Sequence, residues 1–96
     1  MHRRKNKLLK IKIFFSKGCP YCPDAVEFTR KISNLLDVRL EEIDVTDNAS
    51  ILVKEKIIGV PTAILYADGR EIKRYIGLGT IINELITDIL DAEGQV

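Results

Sequence analysis

The two cysteines of this 96-residue chain, Cys19 and Cys22, lie two residues apart in the sequence Cys-Pro-Tyr-Cys. Segment 8–15, in which apolar and lysine residues alternate, precedes them, and segment 24–36, with apolar residues three and four apart, follows. This order predicts a strand, a turn that carries both sulfurs, and a helix. Because the start of a helix presents unpaired N–H groups and the positive end of its dipole, a thiolate placed there is stabilised relative to the thiol.

The two thiols are predicted to have different roles. Cys19 lies at the helix mouth with Pro20 in the first turn, whereas Cys22 lies one turn further in and should be less exposed. The dipole contributes about 0.3–2 kcal/mol, which alone barely brings a free thiol from a pKa near 8.5 to neutrality. Lys17 is a candidate additional cation. We therefore expect Cys19 to be the nucleophilic thiolate and Cys22 the resolving thiol that cleaves a mixed disulfide.

Three other roles are compatible with a Cys-x-x-Cys pair. A structural disulfide would close a four-residue loop and contribute only about 2 kcal/mol. Half of a zinc site would need two more ligands, and the chain adds only His2 unless a dimer supplies a second pair. The pair could also be an inactive remnant. The position between a strand and a helix favours thiol–disulfide exchange.

The composition predicts one soluble domain, with 46% hydrophobic residues, 30% charged residues and a net charge of +1. No apolar run approaches the roughly 20 residues of a membrane span, and the basic start does not resemble a signal peptide.

We expect a basic N-terminal tail at 1–7, a domain at 8–92 and a C-terminal tail at 93–96. The tail is interpreted as a solvated terminus, so neither nucleic acid nor membrane is an expected partner. The cysteine usage predicts a reducing, cytoplasmic compartment. We also expect a monomer.

The periodicities predict the order β-α-β-α-β-β-α and a four-stranded mixed sheet with helices on both faces. Asp68 and Gly69 mark a hairpin turn, and Pro23 is expected to loosen the mouth of the first helix. The expected core faces comprise Ala25, Phe28, Ile32, Leu35 and Leu36 in the first helix, Ile51, Leu52 and Val53 in the second, Ile72 and Ile76 in the last strand, and Ile82, Leu85, Ile86, Ile89 and Leu90 in a last helix capped by Thr80.

The Cys-Pro-Tyr-Cys sequence, followed about forty residues later by Val60-Pro61-Thr62 at the start of a strand, resembles the thioredoxin/glutaredoxin superfamily. The resemblance covers residues 8–90 and implies a thioredoxin-like fold. It also implies a cis Val60–Pro61 bond that faces the cysteines and exposes the Val60 backbone to an extended substrate; an ordinary trans proline is the alternative. The substrate-binding residues implied are Lys17, Pro20, Tyr21, Val60 and Pro61.

The branch of the superfamily is less clearly marked. The Cys-Pro-Tyr-Cys sequence is similar to that of glutaredoxins, but segment 77–80 lacks the acidic residue with which they hold glutathione. The hairpin 66–70 and Gly77 resemble thioredoxins, although Ile13 stands where those proteins carry a buried aspartate. The extended motif is similar to small archaeal thioredoxin/glutaredoxin-like proteins and to the active halves of microbial protein disulfide oxidoreductases.

The expected function is therefore dithiol reduction of disulfide-containing proteins, without a bound cofactor. Glutathione or a thioredoxin reductase would be the external reductant. One alternative is glutathione-dependent reduction of glutathionylated targets, with Lys17, Tyr21 and the Val60 backbone holding the glutathione. The other is a dimer that bridges an iron–sulfur cluster through Cys19.

Overall fold

A computed structural model describes residues 8–94 of the chain. The seven elements follow the predicted order and comprise β1 (Leu9–Phe15), α1 (Cys22–Leu36), β2 (Arg39–Asp44), α2 (Ala49–Glu55), β3 (Thr62–Ala67), β4 (Arg70–Ile76) and α3 (Leu78–Gly94). The predicted basic tail, residues 1–7, lies outside the described residues. The helix α3 continues to Gly94, two residues beyond the predicted domain end at residue 92, and the domain bounds stay a prediction.

The sheet has the strand order β2-β1-β3-β4. β1 runs parallel to β2 and antiparallel to β3, and β3 runs antiparallel to β4, so the predicted mixed sheet is confirmed. Phe14 near the end of β1 stands opposite Thr62 at the start of β3. The loop after β1 and the loop before β3 therefore emerge at the same edge of the sheet. The former carries the cysteines and the latter carries Pro61.

Alternation along β1 divides the core between the two faces of the sheet. Leu9, Ile11 and Ile13 are buried in the larger apolar cluster, together with side chains of α1 and α3. Phe14 points to the opposite face, where α2 and the segment after it cover a smaller cluster that also contains Ile64. The prediction of helices on both faces is confirmed.

The start of α1 differs from the prediction. The helix begins at Cys22 with Tyr21 as its N-cap, so Pro20 precedes the helix and does not lie in its first turn. Pro23 lies within that first turn, where its missing N–H would have had no intrahelical acceptor. The argument for a loosened helix mouth therefore does not apply, because Pro23 removes no hydrogen bond within the helix.

The buried stripe of α1 is shifted from the predicted one. Val26 and Thr29 are buried, whereas Leu35 is 79% exposed. Leu36, its neighbour, takes the position that packs against the core. In α2, Ile51 and Leu52 contact the smaller cluster as expected, but Val53 is 78% exposed because it points away from the sheet.

The last strand and helix show the same kind of shift. Tyr75 is the fully buried residue of β4, while Ile72 and Ile76 are half-exposed. α3 begins at Leu78, so Thr80 lies inside its first turn and is not its cap. The buried side of α3 is formed by Ile81, Leu85, Ile89 and Ala92, while Ile82 and Leu90 are about half-exposed.

One local prediction is confirmed. Asp68 and Gly69 form the two-residue loop between β3 and β4 with φ values of 53° and 82°, the combination that a type I′ hairpin turn requires. In β2, Glu41 binds Lys10 at 2.8 Å and Glu42 binds Arg30, so each glutamate is ion-paired on its own face of an edge strand. Within residues 8–94, no helix is both long and apolar enough to span a membrane.

Candidate active site

Cys19 and Cys22 are joined by a disulfide, with their Cα atoms 5.3 Å apart. The Cys22 N–H donates to the Cys19 carbonyl at 3.3 Å, and the Cys19 N–H donates to the Ser16 carbonyl at 3.4 Å. The loop thus winds through two tight turns before α1 starts. Cys22 is only 1% exposed, whereas Cys19 is half-buried. The expected difference in exposure is confirmed, and Cys19 is the sulfur that a partner can approach.

The loop that carries the cysteines is fastened to the end of β2. The Lys17 N–H donates to Thr46 Oγ1 at 2.8 Å, and the Thr46 N–H donates to Asp44 Oδ1 at 2.9 Å. Hydrogen bonding from the Thr46 hydroxyl, then from its N–H, holds the pKa of Asp44 below its usual value, and the charge of Lys17 adds to this. The sequence motifs do not identify Thr46 as a partner of the cysteine loop, and the cap of α2 is its neighbour Asn48.

The second half of the site is the turn before β3. The Val60–Pro61 bond is cis, which confirms the prediction, and Pro61 is buried. The Val60 carbonyl oxygen lies 3.7 Å from Cys19 Sγ. The Thr62 hydroxyl donates to the Gly59 carbonyl at 2.6 Å, and the Gly77 N–H donates to the Pro61 carbonyl at 2.8 Å.

Sequence reasoning missed these last two contacts. From the sequence, Thr62 is placed only at the start of a strand, and Gly77 enters only through the resemblance to thioredoxins. The available signal was a hydroxyl residue directly after the proline, since threonine side chains often bond backbone carbonyls a few residues away. No comparable local signal identifies the acceptor of the Gly77 N–H, because the two residues meet only through the pairing of β3 and β4.

The structure brings Cys19, Cys22, Val60 and Pro61 together. Pro20 is exposed, and Tyr21 is 63% exposed on the rim beside the disulfide. Lys17 is also exposed, and within residues 8–94 its ammonium forms no ion pair. That Lys17 supports a Cys19 thiolate, and that Pro20 and Tyr21 contact a substrate, stay predictions.

A cavity of about 360 Å³ lies between the cysteine loop and the turn before Pro61. Its walls include Gly18, Thr46, Ile58 and Val60. Ile58 is 84% exposed, so an apolar side chain stands at the edge of the cavity. A chain bound across Cys19 would find an open backbone at Val60 and apolar surface next to it.

A second cavity, of about 500 Å³, lies on the α1 side and is bordered by Cys22. Its acidic side chains are Glu27 and Glu42. Arg30 binds Glu42 with two hydrogen bonds, of 2.6 and 2.7 Å, which lower the pKa of that carboxyl. Ile13 is fully buried in the apolar core, so no carboxylate occupies that position of β1.

Comparison with known proteins gives a consistent result. The model of a family described as a thioredoxin domain matches residues 9–73. A thioredoxin of Acetoanaerobium sticklandii is 35% identical over 63 residues, which are 62% of this chain and 58% of that protein. A thioredoxin of Methanocaldococcus jannaschii is 32% identical over 62 residues, 62% of this chain and 73% of that protein. The match therefore spans less than two thirds of the first relative.

Among solved structures, the fold is similar to that of Fasciola hepatica thioredoxin. The TM-score is 0.76 with 22% sequence identity, and the alignment covers 91% of this chain and 83% of the other. At this identity the likeness concerns the fold. It agrees with the sheet order and with the position of the cysteine pair at the start of α1.

Proposed function

The chain belongs to the thioredoxin domain family, and on that premise we propose that it is a thiol–disulfide oxidoreductase that reduces disulfides in other proteins. One observation carries the proposal: a half-exposed Cys19 is bonded to a buried Cys22 and lies 3.7 Å from the Val60 carbonyl oxygen. A reactive sulfur, a second sulfur within bonding distance and a backbone group for substrate pairing are the three parts that dithiol exchange requires.

The reaction begins with the reduced pair. The Cys19 thiolate attacks one sulfur of the target disulfide, forming a mixed disulfide and releasing the first target thiolate, which takes up a proton. Cys22 then loses its proton and attacks Cys19 Sγ. The intramolecular disulfide forms, the mixed disulfide breaks, and the second target thiolate leaves. Two electrons pass from the cysteine pair to the target, so the disulfide form described here is the product state.

The burial of Cys22 supports the proposed order of attack. A thiol that is 1% exposed does not reach an incoming protein, and burial in apolar surroundings disfavours its thiolate. Cys22 therefore acts only after Cys19 has brought the target sulfur to it. The cavity bordered by Cys22 and Glu27 offers a route for the released proton, since the buried aspartate of related proteins is replaced by Ile13.

The proposed target is an extended polypeptide that carries a disulfide. The Val60 backbone pairs with the segment next to the target cysteine, as a strand would. The exposed side chain of Ile58 lines the same cavity as Val60, and the exposed ring of Tyr21 lies next to Cys22 in the sequence. We therefore expect the chain to prefer targets with apolar residues beside the attacked cysteine.

An external reductant must restore the dithiol after each turnover. We propose a thioredoxin reductase for this role, with glutathione as the alternative. Segment 77–80, where α3 begins, contains no acidic side chain that would hold the glutathione amino group. The proposed setting is a monomer in the cytoplasm, where the compartment keeps such a pair reduced. No bound cofactor is needed for the exchange.

The test uses the reduction of insulin disulfides with dithiothreitol as electron donor. Cys19→Ser should reduce insulin no faster than dithiothreitol alone. Cys22→Ser should accumulate a covalent complex with insulin, visible without reductant and released by dithiothreitol, because the resolving thiol is absent. Retained activity in Cys19→Ser, or a trapped complex in Cys19→Ser instead of Cys22→Ser, would overturn the assignment.

A second measurement separates the two reductants. Turnover with NADPH and a thioredoxin reductase should exceed turnover with glutathione, NADPH and glutathione reductase on the same target. Faster turnover of a glutathionylated peptide in the glutathione system would favour the alternative function. The double variant lacking both cysteines is the blank for each system.

A further inference from the structure

The side chain of Arg74 on β4 joins that strand to the end of α2. Its Nη1 donates to the Lys56 carbonyl at 2.8 Å and its Nη2 to the Glu55 carbonyl at 2.9 Å. The Glu71 carboxylate accepts from Nε at 2.6 Å and from Nη2 at 3.2 Å, which fixes the plane of the guanidinium. Carbonyls at a helix C-terminus have no intrahelical donor, and a cation is favoured there.

The Glu55 and Lys56 carbonyls come directly before the segment that runs to the cysteines. We name residues 57–61, from the end of α2 to Pro61, the proline strap. Lys56, the C-cap of α2, has the left-handed φ of 57°, and the Ile57 N–H bonds the Leu52 carbonyl at 2.9 Å. The backbone therefore leaves α2 at a fixed angle, and Arg74 holds the carbonyl at that turning point.

β4 and the glycine that follows it hold the proline strap at both ends. Arg74 binds the residue directly before it, and the Gly77 N–H bonds the Pro61 carbonyl at 2.8 Å. Between these two attachments lie Ile58, which is highly exposed, and Val60, whose carbonyl faces Cys19 Sγ. Arg74 itself is largely covered and belongs to neither cavity beside the cysteines.

We propose that Arg74 is a positioning residue for target binding, which fixes the proline strap so that the Val60 backbone meets the segment beside the target cysteine. The inference rests on the proposed function and deepens it. A polypeptide target uses the Val60 backbone, whereas a small disulfide needs only access to Cys19. Loss of Arg74 should therefore weaken the binding of polypeptides selectively.

The test compares two substrates of the full chain, insulin and the small aromatic disulfide 5,5′-dithiobis(2-nitrobenzoate). Arg74→Ala should raise the KM for insulin about three- to tenfold, equivalent to about 0.7–1.4 kcal/mol, with kcat within about twofold of wild type. The rate with the small disulfide should stay within about twofold. Arg74→Lys should recover part of the KM, because an ammonium supplies the charge without the planar fork.

The neighbouring residue in β4 provides a matched control. Lys73 is also a cation bound to acidic partners, with its Nζ 2.7 Å from Glu84 and 3.2 Å from Asp88, but these lie on α3. Lys73→Ala should leave the KM for insulin unchanged. Amide hydrogen exchange at Ile57 and Gly77, whose N–H groups bond the Leu52 and Pro61 carbonyls at the two ends of the proline strap, should accelerate in Arg74→Ala and not in Lys73→Ala.

Several results would overturn the inference. They are an unchanged KM for insulin, an equal loss of rate with both substrates, or the same KM change in Lys73→Ala. If Arg74→Ala does not fold, Glu71→Gln serves instead, since it frees the guanidinium from the carboxylate that orients it, and it should shift the KM in the same direction by a smaller factor. Failure of the proposed function is recognised separately, by activity that persists in Cys19→Ser.

Discussion

The hydroxyl of Tyr75 is a well-defined place to perturb the core without changing its shape. Tyr75 is the largest fully buried side chain among residues 8–94, and its hydroxyl donates to Asp88 Oδ2 at 2.8 Å. The substitution Tyr75→Phe keeps the ring and removes only this bond. Asp88 remains partly exposed and keeps Lys73 at 3.2 Å, so the variant leaves no buried group without a partner.

The expected cost follows from this geometry. Hydrogen bonds to charged groups contribute about 1.5–3 kcal/mol. We expect the lower end of this range, because Lys73 and water still interact with the Asp88 carboxylate in the variant. We expect Tyr75→Phe to reduce the free energy of unfolding by about 1.5 kcal/mol and Tm by roughly 6–12 °C in a domain of this size. Urea and thermal unfolding followed by circular dichroism would measure both.

The same residue predicts a dependence on alkaline pH. Burial, and then the bond to Asp88, raise the pKa of Tyr75 above its usual value near 10. The folded state therefore holds the phenolic proton more tightly than the unfolded state does. The contribution of the Tyr75–Asp88 hydrogen bond to stability is complete below about pH 10 and is lost as the pH rises further.

Wild type should lose stability above pH 10 more steeply than Tyr75→Phe. Asp88→Asn, which keeps a hydrogen-bond acceptor, should lie between them. Parallel curves, or a loss below about 0.5 kcal/mol at pH 7, would refute the reasoning.

Three further variants or measurements test other parts of the structure. Asn48→Ala removes the side chain that accepts the Ile51 N–H at the start of α2, and should lower the free energy of unfolding by about 0.5–2 kcal/mol in urea titrations. Hydrogen bonding to Arg30 holds the pKa of Glu42 below its value in the unfolded chain, so this pair stabilises the fold above that value and ceases to do so as the pH falls through the folded-state pKa. Glu42→Gln should therefore flatten the loss of stability on acidification from about pH 5 to pH 3. An unchanged acid profile would contradict the pairing. In the reduced protein, the alkylation rate of Cys19 should titrate with a midpoint below about 8.5, and a midpoint at that value would contradict thiolate stabilisation at the start of α1.

The features predicted correctly from the sequence are those whose signals lie within a few neighbouring residues. The alternation of β1 and the Asp68-Gly69 turn each determine a local conformation, and each appears where it was expected. The cis bond at Pro61 was inferred from the resemblance and not from spacing. Together these signals define the element order, and the order restricts the topology strongly, because sequential strands usually lie side by side.

The errors concern which side of an element faces the core. In α3, apolar residues occur as adjacent pairs, such as Ile81 with Ile82 and Ile89 with Leu90. Two stripes one residue apart then fit the helical period equally well. The structure buries the first member of each pair, and tertiary packing makes that choice. Leu35 and Leu36 in α1 present the same ambiguity, with the opposite outcome.

The contacts that shape the candidate site could not be predicted for a different reason. Lys17 and Thr46 are 29 residues apart, and Arg74 and Lys56 are 18 apart, and each pair meets only after the sheet has formed. On the proposed function, the sulfur chemistry depends on a short local motif, whereas the surface proposed to meet a target depends on backbone groups held by distant side chains. If so, variants of the cysteines should abolish reduction of every disulfide, while variants of the distant side chains should discriminate between large and small ones.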